Sequence, residues 1–124
     1  MLAERDAISF LATKSPKRAR EFYENTLGLD FLADEPFALV FRLHNGTMRI
    51  AKLGDFDPAP YTVLGWESRD SESDVARLKE KGVDFERYPG MEQDALGIWH
   101  IPNTVKVAWF KDPDGNTLSL SQHG

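Results

Sequence analysis

The chain has 124 residues, 41% hydrophobic and 28% charged, with a net charge of -5, the size and composition of one globular domain. That acidic balance argues against a nucleic-acid partner, which needs a basic face to neutralise phosphates. With no cysteine, disulfides, thiolate metal ligands and a cysteine nucleophile are excluded; no apolar run is long enough for a membrane span, and "MLAERDAISF" carries charges where a signal peptide has its apolar core, so a soluble cytoplasmic domain is expected.

In chain order, "AISFLAT" (7–13) has the β-branched and aromatic cast of a strand. "SPKRAREFYENTLG" (15–28) predicts a helix, with Ser15 as N-cap and Pro16 at the first position, where its missing N–H costs nothing. Ala19, Phe22, Tyr23 and Leu27 mark one face of it, and Gly28 is its left-handed stop. A strand containing Phe31 follows, then the hairpin "FALVFRLHNGTMRIAKL" (37–53). Its Asn45-Gly46 dipeptide suits positive φ at both turn positions. "DFDPAP" (55–60) reads as a linker.

The order then repeats. "YTVLGWES" (61–68) predicts a strand, and "DSESDVARLKEKG" (70–82) a helix capped by Asp70 or Ser71 and stopped by Gly82. A strand containing Phe85 comes next, and "VKVAWFKDPDGNTLSLSQ" (105–122) predicts a hairpin turning at Asp114-Gly115. Two tandem strand–helix–three-strand units follow from this recurrence: 1–54, and 61–124 after the linker. The helix-stop glycines stand 54 apart (82 minus 28) but the hairpin glycines 69 apart (115 minus 46). The second unit therefore carries an inserted loop, placed at 88–104, where function rather than scaffold is expected.

This α+β pattern, with "AREFYENTLGL" in the first half and "WFKDPDGNTLSL" in the second, resembles the vicinal oxygen chelate superfamily of glyoxalases, bleomycin resistance proteins and extradiol dioxygenases. The resemblance covers nearly all of residues 1–124 as a single glyoxalase-like domain. It implies curled mixed sheets of two βαβββ units around a cleft, and a homodimer as the usual assembly. In metal-dependent members four side chains, typically His, Glu or Gln, point into that cleft from the first and last strands of each unit. Here those positions fall on Ile8, Val63, Arg49 (or Ile50, one residue on) and Ser119. None is a metal ligand, so neither a metal nor another cofactor is expected. His44, His100 and His123 show no metal-ligand spacing, although a relocated site built on His100 and Asp94 stays open.

Arg49 is then either a solvated strand arginine or a fork for a ligand oxygen. Trp99, inside the insertion, is expected to line a pocket; Trp66 divides between core and cleft wall, and Trp109 reads as core. Gln93 and Ser119 are candidate hydrogen-bonding groups. Asp94 and His100 are a candidate acid–base pair if they converge, although Asp94 can equally cap the turn before "ALGIW". Asp112 and Asp114, beside Pro113 and Gly115, read as turn chemistry. Three functions compete: a metal-free binder of a small organic molecule, a lyase or isomerase using Arg49 with Asp94 and His100, and a metal-dependent glyoxalase or dioxygenase, which the four non-ligand positions oppose.

Overall fold

The computed structural model describes residues 1–124. A short 3₁₀ turn, Leu2–Glu4, leads into β1 (Ala7–Thr13), α1 (Pro16–Glu21), β2 (Asp30–Asp34), β3 (Ala38–Leu43) and β4 (Gly46–Lys52). The second set is β5 (Thr62–Glu67), α2 (Ser71–Glu80), β6 (Trp99–Ile101), β7 (Val105–Lys111) and β8 (Thr117–His123). The chain divides into two compact units, Met1–Asp57 and Pro58–Gly124. Each holds a four-stranded mixed sheet of the same topology, β1-β4-β3-β2 and β5-β8-β7-β6. In each, the strand before the helix runs parallel to the unit's last strand, and the other pairings are antiparallel.

In the first unit the predicted helix changes winding part-way. Pro16 opens it, and Ser15 sits at the cap position without a side-chain cap bond; the Thr13 hydroxyl instead accepts from the Ser15 N–H at 3.0 Å. From Phe22 to Thr26 the backbone widens to a π-helix, a turn type that sequence periodicity does not announce. That wider turn carries Tyr23, fully buried, with its ring 5.9 Å from that of Phe41. Phe41, Met48, Ile50 and Leu39, all at 1% exposure or less, form the rest of this core.

The hairpin turn differs from expectation. Leu43 pairs with Gly46, so His44 and Asn45 make the turn, and neither has positive φ. Gly46 is needed for a different reason. A Cβ there would lie 2.0 Å from the carbonyl oxygen of Ala7 on the parallel neighbour, closer than any side chain tolerates.

In the second unit Asp70 caps α2, accepting from the Ser73 N–H at 3.1 Å. The β7–β8 turn is built by Asp112, whose Oδ1 accepts from the Asp114 and Asn116 N–H groups at 2.9 Å. That is the turn chemistry expected of "DPDGN".

Phe85 forms only an isolated bridge to Phe110 rather than a full strand. Continuing that register would set Tyr88 opposite Val107, but Trp99 stands there instead, 11 positions on (99 minus 88). The edge strand is thus interrupted by an excursion and resumes inside the expected loop, as β6. It ends in a turn with Pro102 second and Asn103 third at φ 59°, closed by the Thr104 N–H to the Ile101 carbonyl, which is type II geometry. Beneath this edge both units repeat one contact: Phe31 lies 5.4 Å from Phe41, and Phe85 5.5 Å from Phe110. Phe110, fully buried between Phe85 and Trp66, anchors the second core. Phe110→Ala is expected to cost about 3–5 kcal/mol, read as a lower denaturant midpoint in chemical unfolding.

Candidate functional site

Strand alternation gives each sheet two faces. In the first sheet Met48, Ile50 and Phe41 point to the side covered by Tyr23. The other side carries Ile8 opposite Thr47 and Phe10 opposite Arg49, with Val40 facing Arg49 from β3. Ile8 and Phe10 are 53% and 68% exposed, an unusual state for large apolar side chains on a strand. Arg49 does not stand alone among them: its Nη2 donates to Glu35 Oε1. Glu35 opens the β2–β3 turn, whose N–H bonds to the Ala38 carbonyl, and Lys52 ties that turn down through Asp34 and, at 2.8 Å, the Glu35 carbonyl.

The second sheet divides in the same way. Gln122 and Lys106 hold Ser71 and Glu72 of α2 through bonds of 2.8–2.9 Å, so they mark the helix side. Cross-strand register adds His100, Ala108, Phe110, Leu118, Leu120 and Trp66 to that side. Trp66 stacks on Phe110 at 6.5 Å, in the core-facing role.

The opposite side carries Ser119 between Gly65 and Trp109, then Val107 and Trp99. The Trp109 ring lies 5.5 Å from Tyr88 and 6.2 Å from Trp99. All three are partly exposed, and burial pushes the Tyr88 phenol up, helped by the Glu86 charge. A Cβ on Gly65 would stand 2.7 Å from the Ser119 hydroxyl, so glycine keeps a notch beside Ser119 at the foot of the aromatic wall.

The four positions that hold metal in the resemblance offer no donor set. Ile8 and Val63 lack lone pairs, Val63 lies in a β-bulge, and Arg49 is a cation. No three His, Asp or Glu side chains gather anywhere in the chain. The residues present do not fit a divalent ion.

Asp94, in the excursion, and His100, in β6, do converge. The Gln93 amide is spent internally, accepting from the Tyr88 N–H and donating to the Glu86 and Gly97 carbonyls at 2.8–2.9 Å. Asp94 both caps the turn and meets His100. Oδ1 caps the turn, accepting from the Leu96 and Ile98 N–H groups at 2.9 Å, while Oδ2 meets His100 Nε2 at 2.8 Å. Burial pushes the Asp94 carboxyl up, but the His100 contact and the two amides outweigh it and hold it below the usual carboxylate range. Trp99 and His100 are successive strand residues and point to opposite faces, so the dyad and the aromatic wall do not meet. His100 lines instead a surface pocket of about 210 Å³ with Lys106 and Gln122.

Trp109, read as core from the sequence, stands instead in the partly exposed wall, because strand alternation puts it beside Ser119 on the face away from α2; Tyr88, the notch at Gly65 and the partner Glu35 were not singled out by sequence. Gly65, alone in the middle of a strand, was the one legible signal; Glu35 stands 14 residues from Arg49, and only the fold joins them.

Because Asp94's folded pKa is lowered, its stabilisation is present above the ordinary carboxylate range and lost as pH falls through that lowered value. Asp94→Ala is expected to cost about 1–3 kcal/mol at neutral pH, and His100→Ala under about 1 kcal/mol, since that pair is partly exposed. Thermal unfolding followed against pH checks both, with the Asp94→Ala deficit shrinking in acid.

Comparison with known proteins agrees with this geometry. The family model described as Glyoxalase/Bleomycin resistance protein/Dioxygenase superfamily matches residues 6–120. No curated protein matches. Among solved structures the chain is similar to TnmS3, an antibiotic binding protein from Streptomyces sp. CB03234, at 25% identity and TM-score 0.75, covering 100% of this chain and 99% of that one. It is similar to a glyoxalase/bleomycin resistance protein from the same Streptomyces at 27% identity and TM-score 0.68, over 94% and 99% of the chains. A superfamily member from Sphaerobacter thermophilus DSM 20745, at 22% identity and TM-score 0.73 over 99% and 100%, shares the fold. The chain belongs to the Glyoxalase/Bleomycin resistance protein/Dioxygenase superfamily.

Proposed function

We propose that this protein binds a small organic molecule without a metal, holding its flat or apolar part against the aromatic wall of the second sheet. The observation that carries the reading is the cluster of Tyr88, Trp99 and Trp109 on the face away from α2. A partly exposed aromatic trio gains further burial when a planar group covers it. Ser119 beside the Gly65 notch supplies a hydroxyl for orientation. Ile8 and Val63 carry no lone pair and Arg49 is a cation, which favours a site that needs no cofactor. The likeness to an antibiotic binding protein at 25% identity over the whole chain is in keeping with a binder. On the family resemblance, the working form is a cytoplasmic homodimer.

A second reading, a lyase or isomerase, is favoured by one contact, that of Asp94 with His100 at 2.8 Å. There His100 moves the proton, because Asp94 is held ionised. Its placement on the α2 side, away from Trp99 and Ser119, and the engagement of Arg49 by Glu35 make it the weaker of the two.

The test is titration of chelator-treated protein with the uncharged planar dye phenylnaphthylamine, alongside metal analysis. Expected are binding that survives chelation, less than one metal per several chains, and about tenfold weaker binding in Trp99→Ala and Trp109→Ala. Stoichiometric metal whose removal abolishes binding, or full affinity in both variants, overturns the reading.

A further inference from the structure

Ser119 is only 5% exposed, yet its hydroxyl is bonded to no group of the chain. No polar side-chain atom of this protein is both sealed from solvent and unpaired, so the Ser119 oxygen keeps an opening. Strand register sets the residue between Gly65 on β5 and Trp109 on β7, and its side chain points to the wall side of the second sheet. Gly65 has no positive φ, so the backbone does not require glycine there. What glycine supplies is space, because a Cβ would stand 2.7 Å from the Ser119 hydroxyl and obstruct it. The neighbouring groups share one hydrogen-bonding sense. The indole N–H groups of Trp99 and Trp109 are likewise bonded to nothing in the chain, and an indole only donates. The carboxylates of this side each have a basic side chain beside them, Glu67 with His123 at 3.7 Å and Glu86 with Lys111 at 3.8 Å.

We infer that the planar part of the ligand carries an uncharged hydrogen-bond acceptor, a ring carbonyl, which enters beside Gly65 and accepts from the Ser119 hydroxyl. The inference rests on the ligand-binding reading above, and names the chemical class as a flat ring ketone rather than a bare hydrocarbon or a carboxylate. With the ring against Trp109, the next residue in register, an oxygen on the ring's edge is the group that reaches Ser119. A carbonyl needs one donor and no counter-charge. An ionised acid gains less, because the basic groups of this side, Lys111 and His123, already face carboxylates. A bare hydrocarbon covers the hydroxyl and takes it from water without a partner, which costs binding free energy. Gly65 is then a specificity-determining residue: it makes no bond itself, and by lacking a side chain it keeps the one unbonded hydroxyl of the wall within reach.

The test is equilibrium dialysis of two tricyclic rings of one shape, fluorene and its ketone fluorenone, against wild type, Ser119→Ala and Gly65→Ala, with phenylnaphthylamine as the reference dye. The ketone is the more water-soluble ring, so apolar burial alone favours fluorene. Wild type is expected to bind fluorenone about fivefold tighter than fluorene. Each variant should remove that preference by weakening the ketone, while fluorene stays within about twofold of wild type. Retained fluorene binding shows that the wall is still formed. Ser119→Ala removes an oxygen without adding an atom, and it decides the matter if Gly65→Ala fails to fold. A fluorenone preference that survives in Ser119→Ala or in folded Gly65→Ala, a wild type that prefers fluorene, or equal loss of both rings in Ser119→Ala overturns the inference and leaves the proposed function standing. Binding of phenylnaphthylamine with neither tricycle bound does the same. No binding of any of the three to wild type overturns both.

Discussion

Each half of this protein depends on one pairing: the strand before the helix lies parallel to the last strand of its own unit. Parallel neighbours cannot be joined by a tight turn, so helix, edge strand and hairpin must all be fitted between them. That pairing sets Ala7 against Gly46 so closely that no side chain fits. It also sets Phe10 beside Arg49 and Gly65 beside Ser119. Arg49 and Ser119 therefore take their neighbours from the first strand of each unit.

From that frame the strand period of two does the sorting. One side of the second sheet becomes core, with Trp66 stacked on Phe110 and Lys106 and Gln122 tied to α2. The other gains Trp109, Trp99 and Ser119. Asp94 and His100 meet, yet alternation at Trp99-His100 turns the dyad away from the wall. Proximity along the chain and convergence on a site are different things, and here they separate across a single peptide bond.

Charge is managed locally. Arg49 with Glu35, Lys106 with Glu72, and His100 with Asp94 are each partly exposed pairs. Such pairs add little stability, so their consequence lies in which charges remain available on a face. The excursion that carries Gln93 and Asp94 shows the other use of polar groups. Its backbone leaves the sheet ladder, and the Gln93 amide and the Asp94 carboxylate satisfy the N–H and C=O groups thereby freed.

Much of the scaffold was legible before any fold was seen. Helix-stop glycines, Pro16, the Asp70 cap, the DPDGN turn and the two phenylalanines 54 apart act over a few residues, and local chemistry determines what they do. The sequence by itself therefore settled the duplicated βαβββ plan. It did not settle the π-turn at Phe22–Thr26, the resumption of the edge strand at Trp99, or the His44-Asn45 turn, because each depends on what lies across the sheet. Nor did it settle that Arg49 is neutralised, that Gly65 opens a notch, or that Trp99 and His100 part company. Those outcomes belong to tertiary structure, since strand register, not spacing along the chain, chooses each side chain's neighbours and face.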